Sequence, residues 1–455
     1  MNSILHSSTV HDVQGLTRDG DFSFFPIYPI QRFVAIYSMF ILAAFALLGI
    51  AGAEYECNGE SVASIVASSL SSKYALVAGS EKEIKGGITN KLWKIQLHVA
   101  GSYAPSTPAL VRCYGENTDL LIDRRSETEV LVALSSLGFE VALLGTFKHG
   151  RIERWLNGHS LSLEEMRSQH ISDAIAEQLA RLHSQNVALA SFPDATADTP
   201  MLLPTLRKWI DLALKAAVDL RAGNAVIPVT AARRAALDSI DLERTAADVL
   251  ELMREFEAIL LHVQGDGRAA SAPFDVVFGH NDLLASNIIL VSEEAGPAGA
   301  AGAAGAAAGT SGPAVVRLID FEYSAYTFRA FDLANHFQEW AGFDTEWSAL
   351  PSVSTRRRFL RRYVAALLRR EDGPGEGDIE LERAVSALAE EVRLCALFSD
   401  AYWGMWAIIQ QRFSAIEFDY IGYSARRFAR FAGQREDVMR RARAYFLQGD
   451  ARDEL

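Results

Sequence analysis

The 455-residue sequence predicts an α+β chain of two lobes, a small β-rich one over residues 58–157 and a larger, mostly helical one over residues 158–448. Three observations predict it. Between about residues 61 and 150, apolar residues come in short alternating runs punctuated by glycine, the pattern of an antiparallel sheet. Further along they recur at three- and four-residue spacing over long stretches, the pattern of amphipathic helices. Two β-branched runs, residues 288–291 and 315–319, each adjoin a knot of amides and carboxylates.

Residues 1–57 precede the lobes and hold an uncharged run, 33–53, about the length that crosses a bilayer. Arg18 and Arg32 before it, with Glu54 and Glu56 after it, would leave the N-terminus in the cytosol. Ala51-Gly52-Ala53 also has the small residues of a signal-peptidase site; a buried helix or a start codon placed too far upstream are the plainer readings. In the small lobe, residues 84–97 read as strand, turn, strand about Gly86 and Gly87, and residues 110–114 as the next strand. Val130, Leu131, Leu134 and Leu137 mark one face of a helix over 126–137, with Glu127 and Glu129 in its first turn. Residues 141–147 and 151–156 follow as strands, and Asn157-Gly158 turns into the large lobe, which sets a hinge near 152–158. Large-lobe helices are marked by Ile171, Ile175, Leu179 and Leu182, by a run from Asp241 through Leu252, Phe256, Ile259 and Val263, and by a long pattern over 382–413 broken only by Gly404. His183, at the end of the first, reads as a structural hydrogen bonder. The tail 449–455 ends Arg452-Asp453-Glu454-Leu455, similar to an endoplasmic reticulum retention signal. With the 33–53 run it predicts association with the endoplasmic reticulum membrane.

The chemistry lies in two pieces, Gly279-His280-Asn281-Asp282-Leu283-Leu284-Ala285-Ser286-Asn287 and Leu318-Ile319-Asp320-Phe321-Glu322. Moving a phosphoryl group from ATP to a hydroxyl needs a carboxylate beside the attacking oxygen and oxygen ligands that hold Mg²⁺ on the phosphates. The spacing H-x-D-x-x-x-x-N supplies Asp282 as base and Asn287 as one metal ligand, while Asp320 supplies the anionic ligand from the end of the next strand. His280 braces the loop. Either piece alone reads as a polar turn or an ordinary strand end; the two in this order predict a phosphoryl-transfer site. Upstream, Gly86 and Gly87 let backbone approach phosphates, Thr89 and Asn90 can cover the nucleotide, and Arg112 on the following strand can reach its phosphates. Residues 295–314, almost wholly alanine and glycine, read as a long hairpin tip.

Residues 278–289 and 319–340 resemble the signature of the choline/ethanolamine kinases. Gly86-Gly87-Ile88-Thr89-Asn90, residues 110–115 and 121–124, and Trp403-Gly404-Met405-Trp406 fall in the same family's order, so the resemblance spans residues 60 to 435. It implies a bilobal, protein-kinase-like (aminoglycoside phosphotransferase-like) fold and ATP-dependent phosphorylation of ethanolamine to phosphoethanolamine, with choline as the alternative or second substrate. It implies that Arg112 stands where protein kinases place the strand lysine, paired with a helix carboxylate for which Glu129 is the candidate. It also implies an amine pocket lined by Tyr323, Trp403, Trp406, Tyr420 and Tyr423, with Glu339 supplying charge. Cation–π contacts of about 0.5–2 kcal/mol each suit an alkylammonium, although aromatic pairs three residues apart are by themselves usually core. Residues 341–347 look more like the ethanolamine branch, and Thr327 stands where the family usually has Asn, which predicts a rearranged hydrogen bond. The resemblance implies a cytosolic enzyme, against the two terminal signals.

A net charge of −13 lacks the basic face that nucleic-acid phosphates need, which excludes a nucleic-acid partner, whereas an acidic cleft attracts a cationic amine. Cys57, Cys113 and Cys395 match no zinc or redox spacing and read as structural or incidental. Two further classes stand beside the kinase reading: a phosphotransferase on another amine or aminoglycoside, opposed by the aromatic residues, and a membrane-tethered module without catalysis, opposed by the presence of Asp282, Asn287 and Asp320 together.

Overall fold

The structure is a computed structural model that describes residues 61–84, 90–101, 105–115, 121–188, 199–265, 273–291, 314–368 and 378–448. The 33–53 run, Gly86, Gly87, Thr89, most of the alanine-glycine segment and the C-terminal tail lie outside them. Among the described residues no helix is long and apolar enough to cross a membrane.

Alternation builds the small lobe. After helix α1 (Val62–Ser69), strands β1 (Tyr74–Leu76), β2 (Lys82–Ile84), β3 (Asn90–Val99), β4 (Thr107–Tyr114), β5 (Leu143–Phe147) and β6 (Gly150–Arg154) form an antiparallel sheet in the order β1-β3-β4-β6-β5, with β2 on β3. Period two sends Ile95, Leu97, Ala109, Val111, Cys113 and Ile152 into a core shared with Ile65 and Val66 of α1. The same period turns Arg112, Arg151 and Glu153 to the other face, where the register sets Arg112 opposite Arg151. Cys113 is disulfide-bonded and Cys395 is a buried free thiol, so the cysteines do not all stand idle.

Helix α2 (Arg124–Ser136) begins at Asp123, whose side chain accepts from the backbone N–H groups of Arg125 and Ser126. Val130, Leu131 and Leu134 form the buried face that their spacing predicts, while Leu137 caps the helix and stays 37% exposed. That face joins the core of the large lobe, not the core of the sheet.

Only residues 155–157 separate β6 from β7 (Gly158–Ser160), which pairs with β9 (Ile288–Val291) and through it with β10 (Val316–Leu318). The crossing between the two sheets is therefore these three residues. Gly158 has φ 152°, and a Cβ there would stand 2.2 Å from the Leu290 oxygen, so glycine lets the crossing strand lie against β9. The large lobe continues with α3 (Leu163–Arg167), α4 (Gln169–His183), α5 (Leu202–Arg221), α6 (Ala231–Asp238) and α7 (Leu242–Gly265). Strand β8 (Val276–Gly279) pairs with β11 (Ala325–Phe328), and helices α8 (Arg329–Gln338), α9 (Val353–Leu367), α10 (Ile379–Phe413) and α11 (Tyr420–Arg443) complete the lobe. Gly404 does not break α10. A Cβ there would lie 2.4 Å from Cε1 of Phe428, so the glycine admits the α11 ring and lets the two helices pack closely.

Candidate active site

Two turns meet at the cleft, one after β8 and one after β10. Asn281 (φ 63°) and Asp320 (φ 65°) both sit in the left-handed region, where non-glycine residues are strained and which clusters at functional sites. Asp332, fully buried at the start of α8, holds the first turn: it accepts from the backbone N–H of His280 at 2.7 Å and of Asn281 at 2.7 Å. Its other neighbour is His183 Nε2 at 2.9 Å, whose Nδ1 lies 2.7 Å from the Tyr363 hydroxyl. Burial works to raise the Asp332 pKa, but the His183 hydrogen bond and charge outweigh it and hold the carboxyl below its ordinary value. His183 is thus a structural hydrogen bonder, as its helix position predicts. His280 ties the two turns together, with Nε2 2.9 Å from the Ile319 carbonyl and its ring 4.9 Å from that of Phe321. Burial lowers its pKa and favours the neutral ring. It is a brace.

Asp282 and Asn287 face each other as the motif spacing requires: the Asn287 amide donates to the Asp282 carbonyl at 2.9 Å and to its carboxylate at 3.2 Å. The Asp282 pKa is pushed well above its ordinary value, first by burial and then by Glu339, Glu322 and Asp320. Both oxygens of Asp320 lie 3.2 Å from one Arg112 nitrogen. Glu322 accepts from Arg124 at 3.1 Å and from Asn90 at 3.4 Å. Burial, with the charges of Asp320 and Glu127, nevertheless pushes the Glu322 carboxyl up to about 7 against the pull of Arg124. Ligand oxygens of Glu127, Asp320 and Glu322 all lie within 4.8 Å of one another. Such a crowd of hard oxygen donors suits a divalent cation.

The pairing expected for Glu129 is corrected. Glu129 meets Arg125 at 3.3 Å on its own helix, while Arg112 is held by Glu153 at 3.0 Å and by Asp320. The buried carboxylate of α2 is Glu127, bound to Arg151 at 2.6 Å and to Arg124 at 2.9 Å. The reason lies in helix geometry: residues two apart project to different sides of a helix, so Glu127 meets Arg151 and Arg124 while Glu129, itself largely covered, meets Arg125. Of the nucleotide-covering residues, Asn90 reaches the cleft through Glu322, whereas Gly86, Gly87 and Thr89 fall outside the described residues.

The rings come together as a buried cluster. Tyr323 accepts from Trp406 Nε1 at 2.9 Å and stands edge-on to Trp403 at 5.4 Å, and Trp406 packs on Tyr420 at 5.7 Å. Trp209 and Tyr402 extend it, 4.1 Å apart, and the Tyr402 hydroxyl is pushed up by burial and then by the charge of Asp282. Tyr423 lies to one side, with Phe343 and Phe418. Glu339 does not offer an unopposed charge. It pairs with Arg427 at 3.0 Å, and Arg427 also donates to Tyr423 at 2.9 Å and meets Asp400 at 3.4 Å. Arg427 is fully buried, a cation that the apolar face of α11 gave no reason to expect; its neighbourhood of Tyr423, Phe428 and Phe431 was the available signal. Asp332 was signalled similarly, as a carboxylate in the buried run Ala330 to Leu333. The Thr327 hydroxyl is buried and has no hydrogen-bond partner among the described residues.

A family model described as choline/ethanolamine kinase matches residues 82–432. The chain belongs to the choline/ethanolamine kinase family. It is 31% identical to a probable ethanolamine kinase of Arabidopsis thaliana over 356 residues, covering 78% of this chain and 79% of that one. It is 28% identical to probable choline kinase 2 of Arabidopsis thaliana, covering 76% of this chain and 83% of that relative. Among solved structures, an ethanolamine kinase of Plasmodium vivax superposes with a TM-score of 0.57 at 26% identity, over 78% of this chain and 82% of that one. The family member described here is accordingly a phosphotransferase with the kinase-like bilobal fold, and ATP is its co-substrate.

Proposed function

We propose that this chain transfers the γ-phosphoryl group of ATP to the hydroxyl of ethanolamine, giving phosphoethanolamine. The observation that carries the reading is the setting of Asp282: a partly buried carboxylate of raised pKa, hydrogen-bonded by Asn287, with Glu339, Glu322 and Asp320 near enough for their charges to raise it further. A carboxylate of raised affinity for protons suits a general base near neutral pH. Asp282 takes the hydroxyl proton, the substrate oxygen forms its bond to the γ-phosphorus, and the bond to the bridging oxygen breaks so that ADP leaves. Glu339 balances the ammonium, sharing its charge with Arg427, and the rings of Tyr323, Trp403, Trp406, Tyr420 and Tyr423 exclude water around it.

The donor set fits Mg²⁺. Asp320 and Glu322 supply anionic oxygens beside one another, and the Asn287 amide oxygen has no partner among the described residues. When bound, the ion neutralises the phosphates and orients them. Arg112, held on the cleft face by Glu153 and Asp320, would lend its charge to the nucleotide phosphates.

Choline is the second reading, favoured by the ring cluster, since a quaternary ammonium takes π faces and no acceptor. ADP release with Mg·ATP and each amine in parallel decides between them. Turnover higher with ethanolamine supports the proposal, turnover with choline alone moves it to the second reading, and turnover with an aminoglycoside alone overturns both. Membrane association through residues 33–53, with retention through the Arg452–Leu455 tail, is the accompanying proposal for where the enzyme works; its test is fractionation with and without each segment.

A further inference from the structure

A cavity of about 420 Å³ opens between α8, α9, α10 and α11, on residues other than those of the phosphoryl-transfer site. One wall is apolar, with Phe337, Leu360 and Val392; the other carries Arg356, Arg393 and Arg430. The charge is lopsided. Arg356, half-buried early in α9, has no side-chain hydrogen bond or ion pair among the described residues. Burial, followed by the charges of Arg393 and Arg430, pushes its guanidinium below the ordinary value. Nε of Arg393 is buried without a hydrogen-bond partner, and so is Oε1 of Gln338. The two acids in the lining are committed elsewhere: Glu390 lies 3.6 Å from Arg393 but is gripped by Arg441 at 2.7 and 2.8 Å, and Asp437 is paired with Arg440.

We infer that this cavity binds a small organic oxyanion, a phosphate or carboxylate head on an apolar body, and that its occupancy tunes the amine pocket. Guanidinium forks recognise both heads in the same way, and the N-terminal end of α9 adds its partial positive charge. The apolar wall takes the body. Coupling runs through buried charges: Arg430 holds Asp400 at 2.5 Å, Asp400 meets Arg427 at 3.4 Å, and Arg427 holds Glu339 at 3.0 Å. An anion that draws Arg430 away leaves Asp400 to pull on Arg427, which loosens its hold on Glu339 and frees that carboxylate for an ammonium. The coupling rests on the amine-kinase reading above; the binding does not.

The test is calorimetry on the full chain with Mg·ATP present to fill the nucleotide site, titrating hexyl phosphate, hexanoate and hexanol. At least one anion binds and hexanol does not; hexyl phosphate alone or hexanoate alone identifies which head the site takes. Arg356→Gln keeps the wild-type Tm, because Arg356 has no partner to lose, and weakens the anion about tenfold, the loss of one charge-assisted contact. In the kinase assay the anion lowers the amine KM of the wild type, and Arg356→Gln needs about tenfold more anion for the same change. No heat from either anion, or equal affinity in Arg356→Gln, overturns the site. Binding with an unmoved amine KM overturns the coupling alone, and absence of amine turnover counts against the kinase reading while the calorimetry still decides the site.

Discussion

Replacing Glu322 by Gln separates the electrostatic cost of the cleft from its packing. Glu322 is tied to Arg124 and Asn90, yet its carboxyl rises from 4.5 to about 7 because burial and the neighbouring carboxylates Asp320 and Glu127 outweigh the arginine. The unfolded chain gives up this proton near its ordinary value while the folded chain keeps it, so folding stability is lost as pH rises through that interval and stays low above it. At about 1.4 kcal/mol per pH unit the interval is worth on the order of 3 kcal/mol. Gln mimics the protonated acid and has no such interval. Urea unfolding in metal-free buffer, at about pH 5 and about pH 8, should therefore show the variant gaining on the wild type by up to about 3 kcal/mol between the two conditions. Any fixed difference between Gln and a protonated Glu cancels in that comparison, as does the pH response of the other buried acid near 7, Glu391. Magnesium with ATP should restore the wild type at pH 8 more than the variant. Parallel stability curves for the two proteins would refute the reasoning.

Asp282→Asn should lower kcat by about 10² to 10⁴, the range for a lost general base, with a urea midpoint no lower than the wild type's because a destabilising buried charge is gone. Asp332→Ala removes the acceptor of two backbone N–H groups and one histidine, at about 1–3 kcal/mol for each donor left buried and unmet, and should show both a large loss in urea stability and a fall in kcat. Arg427→Met strands Glu339 without a cation, while Asp400 keeps Arg430, and should cost about 3–5 kcal/mol; adding Glu339→Gln should recover most of it, again by urea unfolding.

What the sequence discloses is what short-range periodicity and spacing carry. The alternation in β3 and β4 set Arg112 on the cleft face, and Asp282 with Asn287 formed a self-contained pair because both lie in one turn. The partners of Arg112 were illegible for the same reason. Glu153 reaches it from β6 and Asp320 from a turn beyond β10, pairings set by sheet register and by the approach of the lobes. Spacing in α2 could show that one acid of its first turn faces inward, but choosing Glu127 over Glu129 needed the direction from which Arg151 arrives. Buried charges such as Arg427 and Asp332 interrupt an apolar face and look like noise until their counter-charges, from other helices, are placed beside them.

Helix α2 shares its apolar face with the large lobe, while its Glu127 is clamped to Arg151 of the small-lobe sheet. The helix is thus anchored like a bollard, with its apolar face in the large lobe and its acid moored to the sheet. Opening the cleft means breaking the ion pairs Arg151–Glu127 and Arg112–Asp320 and the Asn90–Glu322 hydrogen bond. Because these pairs are buried, dissolved salt screens them little, and the charges of an arriving metal-nucleotide complex are what can compete for them.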